Sequence, residues 1–179
     1  MAKGGARVGL TPEELIAQAQ ASFGDRIRAA HHDCGDATVV ISREEALGIF
    51  ASLRDQPPFR FNFLIDVTAV DYLGRDPRFE VVYHLYSLPQ NHRLRVKIGV
   101  PESEPWVHSL VPLWKAANWL EREVWDMFGI RFLGHPDPRR ILMYEEFVGH
   151  PLRKDYPVNK RQPLEPERDP IDVGWKFNV

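Results

Sequence analysis

The run His92–Val100 alternates with period two. Leu94, Val96, Ile98 and Val100 fall on one side, and Arg93, Arg95 and Lys97 on the other. Successive strand residues face opposite sides of a sheet, so this run demands a sheet with one apolar and one charged face. Helices then cover a single side. Partner strands are at hand. Residues 59–71 are apolar and β-branched, and Phe79–Ser87 places Phe79, Val81, Tyr83 and Leu85 at alternate positions after the turn at residues 73–77. With His92–Val100 they predict a three-strand meander. Upstream, residues 26–32 and 37–41 predict two short strands around the turn Asp33-Cys34-Gly35-Asp36. Thr11 as N-cap, Pro12 at the first helical position and Glu14 closing a capping box predict a helix ending near Phe23 and Gly24. Ser42 with Glu45 repeats the signature and predicts a second helix, ending before Pro57-Pro58. The order helix–strand–strand–helix–three strands predicts an α+β fold, a two-layer sandwich with a mixed sheet and its helices on one face.

A C-terminal helix follows. Pro112 suits a first helical position, because its missing N–H would go unpaired there. Gly129 is placed to end the helix in the left-handed conformation. Leu113, Ala117, Leu120, Val124 and Met127/Phe128 form one stripe facing the core. Trp119 and Trp125 fall outside that stripe, so the helix needs a second cover, from the chain's own tail or from another protein. The chain divides into a frayed N-terminus at residues 1–10, an α+β domain at 11–130, a loop segment at 131–157 and an extended tail at 158–179. The tail has few apolar anchors. Ordering about 20 residues costs roughly 20–40 kcal/mol of backbone entropy. That asks for roughly 800–1,600 Å² of buried apolar surface. Either the tail stays unordered in the isolated chain, or it lies on a partner over an area of ordinary interface size; the partner is the preferred reading.

Charge and cysteine content exclude several functions. Net charge is −2, and from residue 131 onward nine Lys/Arg face eight Asp/Glu, so no polycation offers itself to nucleic acid. The single Cys34 excludes an internal disulfide and an iron–sulfur cluster held by four thiolates of this chain. Uncharged runs reach at most twelve residues, too short to span a bilayer. His31-His32-Asp33-Cys34 contains metal-ligand types, but adjacent strand residues point to opposite faces, so a polar strand end is the better account. Glu121 and Glu123 lie about 160° apart on a helix and do not converge on one substrate. Glu145 and Glu146 likewise read as plain carboxylates rather than an acid–base pair. Two Gly-His-Pro turns each precede a basic pair: His135 before Arg139-Arg140, and His150 before Arg153-Lys154. No oriented nucleophile or phosphate loop accompanies these histidines. The structural reading is two tight turns whose cations pair with Asp126, Asp137, Glu145 or Asp155.

Glu121 to Ile130 (EREVWDMFGI), Gly134-His135-Pro136-Asp137, Arg139-Arg140-Ile141-Leu142 and residues 149–157 (GHPLRKDYP) together resemble the signature of one family. It is the thirty-kilodalton subunit of NADH–quinone oxidoreductase, the enzyme also called respiratory complex I. Residues 66–72 (DVTAVDY) and 82–87 (VYHLYS) extend the likeness over most of residues 59–157, and Pro138 stands where that family usually carries leucine. The resemblance implies a subunit without cofactors of its own, the flavin mononucleotide (FMN), iron–sulfur clusters and quinone being held by other subunits. It implies a place in the hydrophilic arm on the cytoplasmic side of the membrane. There the chain would dock on the large quinone-site subunit beside the iron–sulfur subunits, with no membrane span. On this reading Trp119, Glu121, Arg122, Trp125, Asp126, His135, Arg139, Arg140, His150, Arg153 and Lys154 are docking candidates, since aromatic residues and arginine carry disproportionate interface energy. Two alternatives stand beside it. One is the equivalent subunit of a ferredoxin-driven quinone reductase or membrane-bound hydrogenase complex; the other is a free-standing enzyme using the histidines and carboxylates of residues 121–155.

Overall fold

The computed structural model describes residues 9–160 and 162. Its elements follow the predicted order: α1 (Pro12–Phe23), β1 (Ile27–Asp33), β2 (Asp36–Ile41), α2 (Ala46–Asp55), β3 (Phe63–Asp71), β4 (Phe79–Ser87), β5 (His92–Val100), β6 (Trp106–His108), α3 (Ala117–Phe128) and β7 (Arg131–Leu133). The main sheet runs β1-β2-β5-β4-β3. All its neighbours are antiparallel except β2 and β5, which are parallel, so the sheet is mixed. The β5 alternation settles which way the sheet faces. Leu94, Val96, Ile98 and Val100 enter the same core as Phe79, Val81, Tyr83 and Leu85 of β4 and Ala37, Val39 and Ile41 of β2. Leu15, Ala19 and Phe23 of α1, Ile49, Phe50 and Leu53 of α2, and Val124, Met127 and Phe128 of α3 close that core. The opposite face is held by cross-strand charge pairs, Lys97 with Glu80 at 2.9 Å and Arg95 with Asp36 at 3.0 Å.

Several boundaries differ from the sequence reading, each for a local reason. The capping box at Thr11 forms as predicted, with the Glu14 N–H donating to the Thr11 hydroxyl at 3.2 Å and the Thr11 N–H donating to the Glu14 carboxylate at 2.8 Å. The second box does not form. Glu45 itself precedes α2 without a side-chain cap, and residues 43–45 make a turn. Arg43 is drawn away to the Glu104 carbonyl at 2.7 Å and stacks on Trp106. The third helix starts at Ala117 rather than Pro112, because residues 110–117 are spent in successive turns in which the Leu113 and Trp114 N–H groups both donate to the Leu110 carbonyl. β3 begins at Phe63, since residues 56–61 turn back to place Phe59 and Phe61 in the core. The parallel pair β6–β7 has no counterpart in the sequence reading: three-residue strands are shorter than any periodicity can reveal. The expectations for residues 1–8 and for the tail at 163–179 lie outside the described residues.

Candidate partner-docking site

Gly129 ends α3 in the left-handed region at φ 77°, as its placement predicts. It also has to be glycine for space, because a Cβ there would lie 2.5 Å from His150 Nε2 and 2.8 Å from an Arg153 guanidinium nitrogen. The second Gly-His-Pro turn is thereby pressed against the helix end, where the last carbonyls have no partner within the helix. The turn supplies donors to three of them in succession. His150 Nδ1 meets the Asp126 carbonyl at 3.0 Å, the Leu152 N–H donates to the Met127 carbonyl at 3.1 Å, and Arg153 Nε donates to the Phe128 carbonyl at 2.6 Å. A carbonyl only accepts, so His150 carries its proton on Nδ1. Burial first, and then the neighbouring Arg153 and Arg140 charges, hold this imidazole below its ordinary pKa. Arg153 also brings a cation to the negative end of the helix dipole.

The other half of the segment is organised by Asp126, which is fully buried. One of its carboxylate oxygens accepts the N–H groups of Ile141, Leu142 and Met143 at 3.1, 2.9 and 2.9 Å. The other oxygen receives Arg140. Burial works against ionisation here, but the three N–H donors and the guanidinium outweigh it and hold the carboxyl below the usual range. Arg140 then reaches the Phe147 carbonyl at 2.7 Å and the Gly149 carbonyl at 3.2 Å, joining the two Gly-His-Pro turns. Arg122 donates to the carbonyls of Arg139 and Arg140, both at 3.0 Å.

Glu121 faces the other way. Also fully buried, it accepts the Leu110 N–H at 2.6 Å and the Ser109 hydroxyl at 2.7 Å. Desolvation pushes its pKa up to about 7 against the pull of those two donors. His135 lies 4.0 Å away; its Nδ1 accepts the Asp137 N–H, so Nε2 carries the proton and donates to the Asn118 carbonyl at 3.0 Å.

A residue that sequence reasoning missed ties this segment to the sheet. Arg78, 3% exposed, grips both oxygens of Asp71 at 2.9 and 2.8 Å and also binds Glu102 and Asp155. The Lys154 N–H donates to the same Asp71 at 2.8 Å. No local signal marks Arg78, which reads in sequence as one more charge before a strand.

These contacts correct the docking set. Glu121, Asp126 and His135 are enclosed and fully engaged, so they hold the segment in shape rather than present it. The Arg122, Arg140, His150 and Arg153 side chains are spent chiefly on backbone carbonyls. Trp125 is half-buried against the core. Trp119 at 68% exposure, Arg139 and Lys154 do face outward. They are joined by aliphatics that sequence alone did not single out: Leu142, Val148 and Leu152. Glu123 is exposed while Glu121 is buried, which removes any acid–base pair between them. At the far end, His32 pairs with Glu13 and His31 lies near Asp33, two separate contacts. Among the described residues no group of three His, Cys, Asp or Glu is placed to hold a metal, and no helix is long and apolar enough to cross a membrane.

A mixed five-stranded sheet with helices on one face, closed by a helix whose end is wrapped by a charge-stapled loop, is a fold shared with chains of known respiratory assemblies. It superposes on Nqo5 of a trypsin-resistant fragment (1-134) with a TM-score of 0.57 at 36% identity, covering 70% of this chain and 97% of that one. A chain of the membrane-bound sulfane sulfur reductase, an archaeal respiratory membrane complex, gives 0.68 over 82% of this chain and 86% of that chain; at 21% identity it speaks for the fold alone. The profile of the respiratory-chain NADH dehydrogenase 30 Kd subunit family matches residues 39–162, and the chain belongs to that family. Relatives named as this same component of NADH-quinone oxidoreductase include that of Citrifermentans bemidjiense, 49% identical over 82% of this chain and 89% of its own length. The protein of the same name from Geobacter metallireducens is 54% identical over 69% of this chain and 76% of its own.

Proposed function

We propose that this chain is a non-catalytic assembly subunit of the hydrophilic arm of a proton-translocating NADH–quinone oxidoreductase. It sits on the cytoplasmic side of the membrane, docked on the large quinone-site subunit and beside the iron–sulfur subunits that, with the flavin subunit, hold the redox groups. The observation that carries this reading is how the signature spends its charge. Its carboxylates, histidines and most of its arginines are consumed in fixing residues 134–157 against α3, while Trp119, Leu142, Val148 and Leu152 are left facing outward. A rigid loop presenting apolar side chains is what a partner surface requires. Trp119, Arg139 and Lys154 are the charged and aromatic anchors of that surface, and residues 158–179 extend it as a strap over the partner. The matched relatives' names support the NADH-driven machine over a ferredoxin or hydrogenase version.

The test is a native pull-down from solubilised membranes with a tag at the N-terminus. Co-purifying flavin and iron–sulfur subunits with NADH–quinone activity are expected. Hydrogenase or ferredoxin-type partners would redirect the assignment to a related machine, and a chain recovered alone would overturn the assembly role. Trp119→Ala is expected to weaken recovery of the arm while leaving the melting temperature of the isolated chain unchanged.

A further inference from the structure

Between the outer side of α3, strand β7 and the turn at residues 134–138 lies a cavity of about 370 Å³. Trp125, Phe132, Leu133 and Pro138 line it, with Glu121 and His135 at its enclosed end. Volume and lining both fall within the range of sites that receive an apolar group, roughly 300–1,000 Å³. The polar atoms at the enclosed end are already satisfied. Glu121 takes the Ser109 hydroxyl and the Leu110 N–H, and both ring nitrogens of His135 are engaged with backbone groups. Nothing there asks for a polar ligand, so the occupant's buried part is apolar.

The mouth is different. Arg131 is exposed there and forms no ion pair among the described residues. The nearest carboxylate to Arg122 is Asp137 at 3.8 Å, which is already held at 2.6 and 2.8 Å by Arg139. Positive charge is therefore in surplus around an apolar hollow. Exposed Leu133 at the rim, and Trp119 one turn before Arg122 on α3, carry the apolar surface beyond the cavity, more than a small free ligand would cover.

We infer that this cavity is a socket for a side chain of a neighbouring subunit: an aliphatic or aromatic residue that enters between Trp125 and Pro138, flanked by an Asp or Glu that pairs with Arg131. The inference deepens the assembly role proposed above and rests on it. Burial of the apolar group supplies the holding energy, while the carboxylate–Arg131 pair at the rim selects the partner and its register.

The test uses the assembled complex. A photo-crosslinking benzoylphenylalanine is placed at Leu133 and a second, as an assembly reference, at Val148. After irradiation the adducts are mapped by mass spectrometry. The expected Leu133 adduct is a partner-subunit peptide with an apolar or aromatic residue within three positions of an Asp or Glu. In parallel, Arg131→Glu is expected to reduce recovery of the complex by roughly tenfold, with Arg131→Lys restoring it and the free chain's melting temperature unchanged in both. An adduct with this chain's own residues 163–179, with a lipid or quinone, or with a basic segment overturns the socket while leaving the assembly role standing. So does an intact complex with a Val148 adduct and none at Leu133. Failure of the wild-type chain to co-purify with any partner overturns both.

Discussion

Removing the Asp126 carboxylate is the sharpest test of how the signature segment is held. In Asp126→Ala, three N–H groups that converge on one oxygen lose their acceptor, and Arg140 loses the buried anion it faces. Each orphaned donor costs about 1–3 kcal/mol if it stays dry. Ile141 and Met143 are only half-buried and Leu142 is exposed, so water rescues part of that. Breaking one side of a buried ion pair costs about 3–5 kcal/mol in its own right. The two overlap, since Arg140 retains its carbonyls at Phe147 and Gly149, and the expected loss is about 3–5 kcal/mol in total. Against a domain stability of about 5–15 kcal/mol this leaves the sheet folded and the segment loosened. Asp126→Asn keeps an oxygen for the N–H groups and loses only the charge, so it is expected to cost about half as much. Urea unfolding at pH 7 gives the totals, and amide hydrogen exchange at residues 141–143 locates them. A loss below about 1 kcal/mol for Asp126→Ala, or unaltered exchange at those three amides, refutes the argument.

Glu121 makes stability fall as pH rises. Its folded pKa of about 7 lies above the ordinary 4.5, so the folded state holds the proton more tightly, and the contribution is complete below 4.5 and lost by about 7. The loss is of the order of 3 kcal/mol. Glu121→Gln should therefore flatten the melting temperature between pH 5 and 8 relative to wild type, and parallel curves would refute this. Arg78→Ala strands the buried Asp71 carboxylate; a cost of about 3–5 kcal/mol is expected, with faster exchange at the Lys154 amide. Gly129→Ala forces a Cβ into His150 and holds a non-glycine residue at φ 77°, so a loss of about 2 kcal/mol or more and quicker proteolysis near residues 149–153 are expected.

What was legible in the sequence is what depends on neighbours along the chain. The period of β5 dictated a one-sided sheet, Thr11-Pro12-Glu13-Glu14 dictated a helix start, and Gly129 dictated a helix end, because strand alternation, capping and left-handed turns are all decided within a few residues. The motif at residues 121–157 was visible as a motif, and the family it resembles is the family whose profile the chain matches. The direction of its side chains was not visible. Asp126 and Arg139 look equally available in sequence, yet one lies wholly inside and the other on the surface. Ser42 and Glu45 match a capping box as well as Thr11 and Glu14 do, yet only the first pair along the chain forms one. Arg78 meets Asp155 across 77 positions, and Lys154 meets Asp71 across 83. Pairings of that separation are decided by which surfaces the fold brings together, and a charge in a sequence carries no record of the partner it will meet. Tertiary structure alone therefore decided that the signature's charges bind the chain to itself, leaving Trp119 and its apolar neighbours outside.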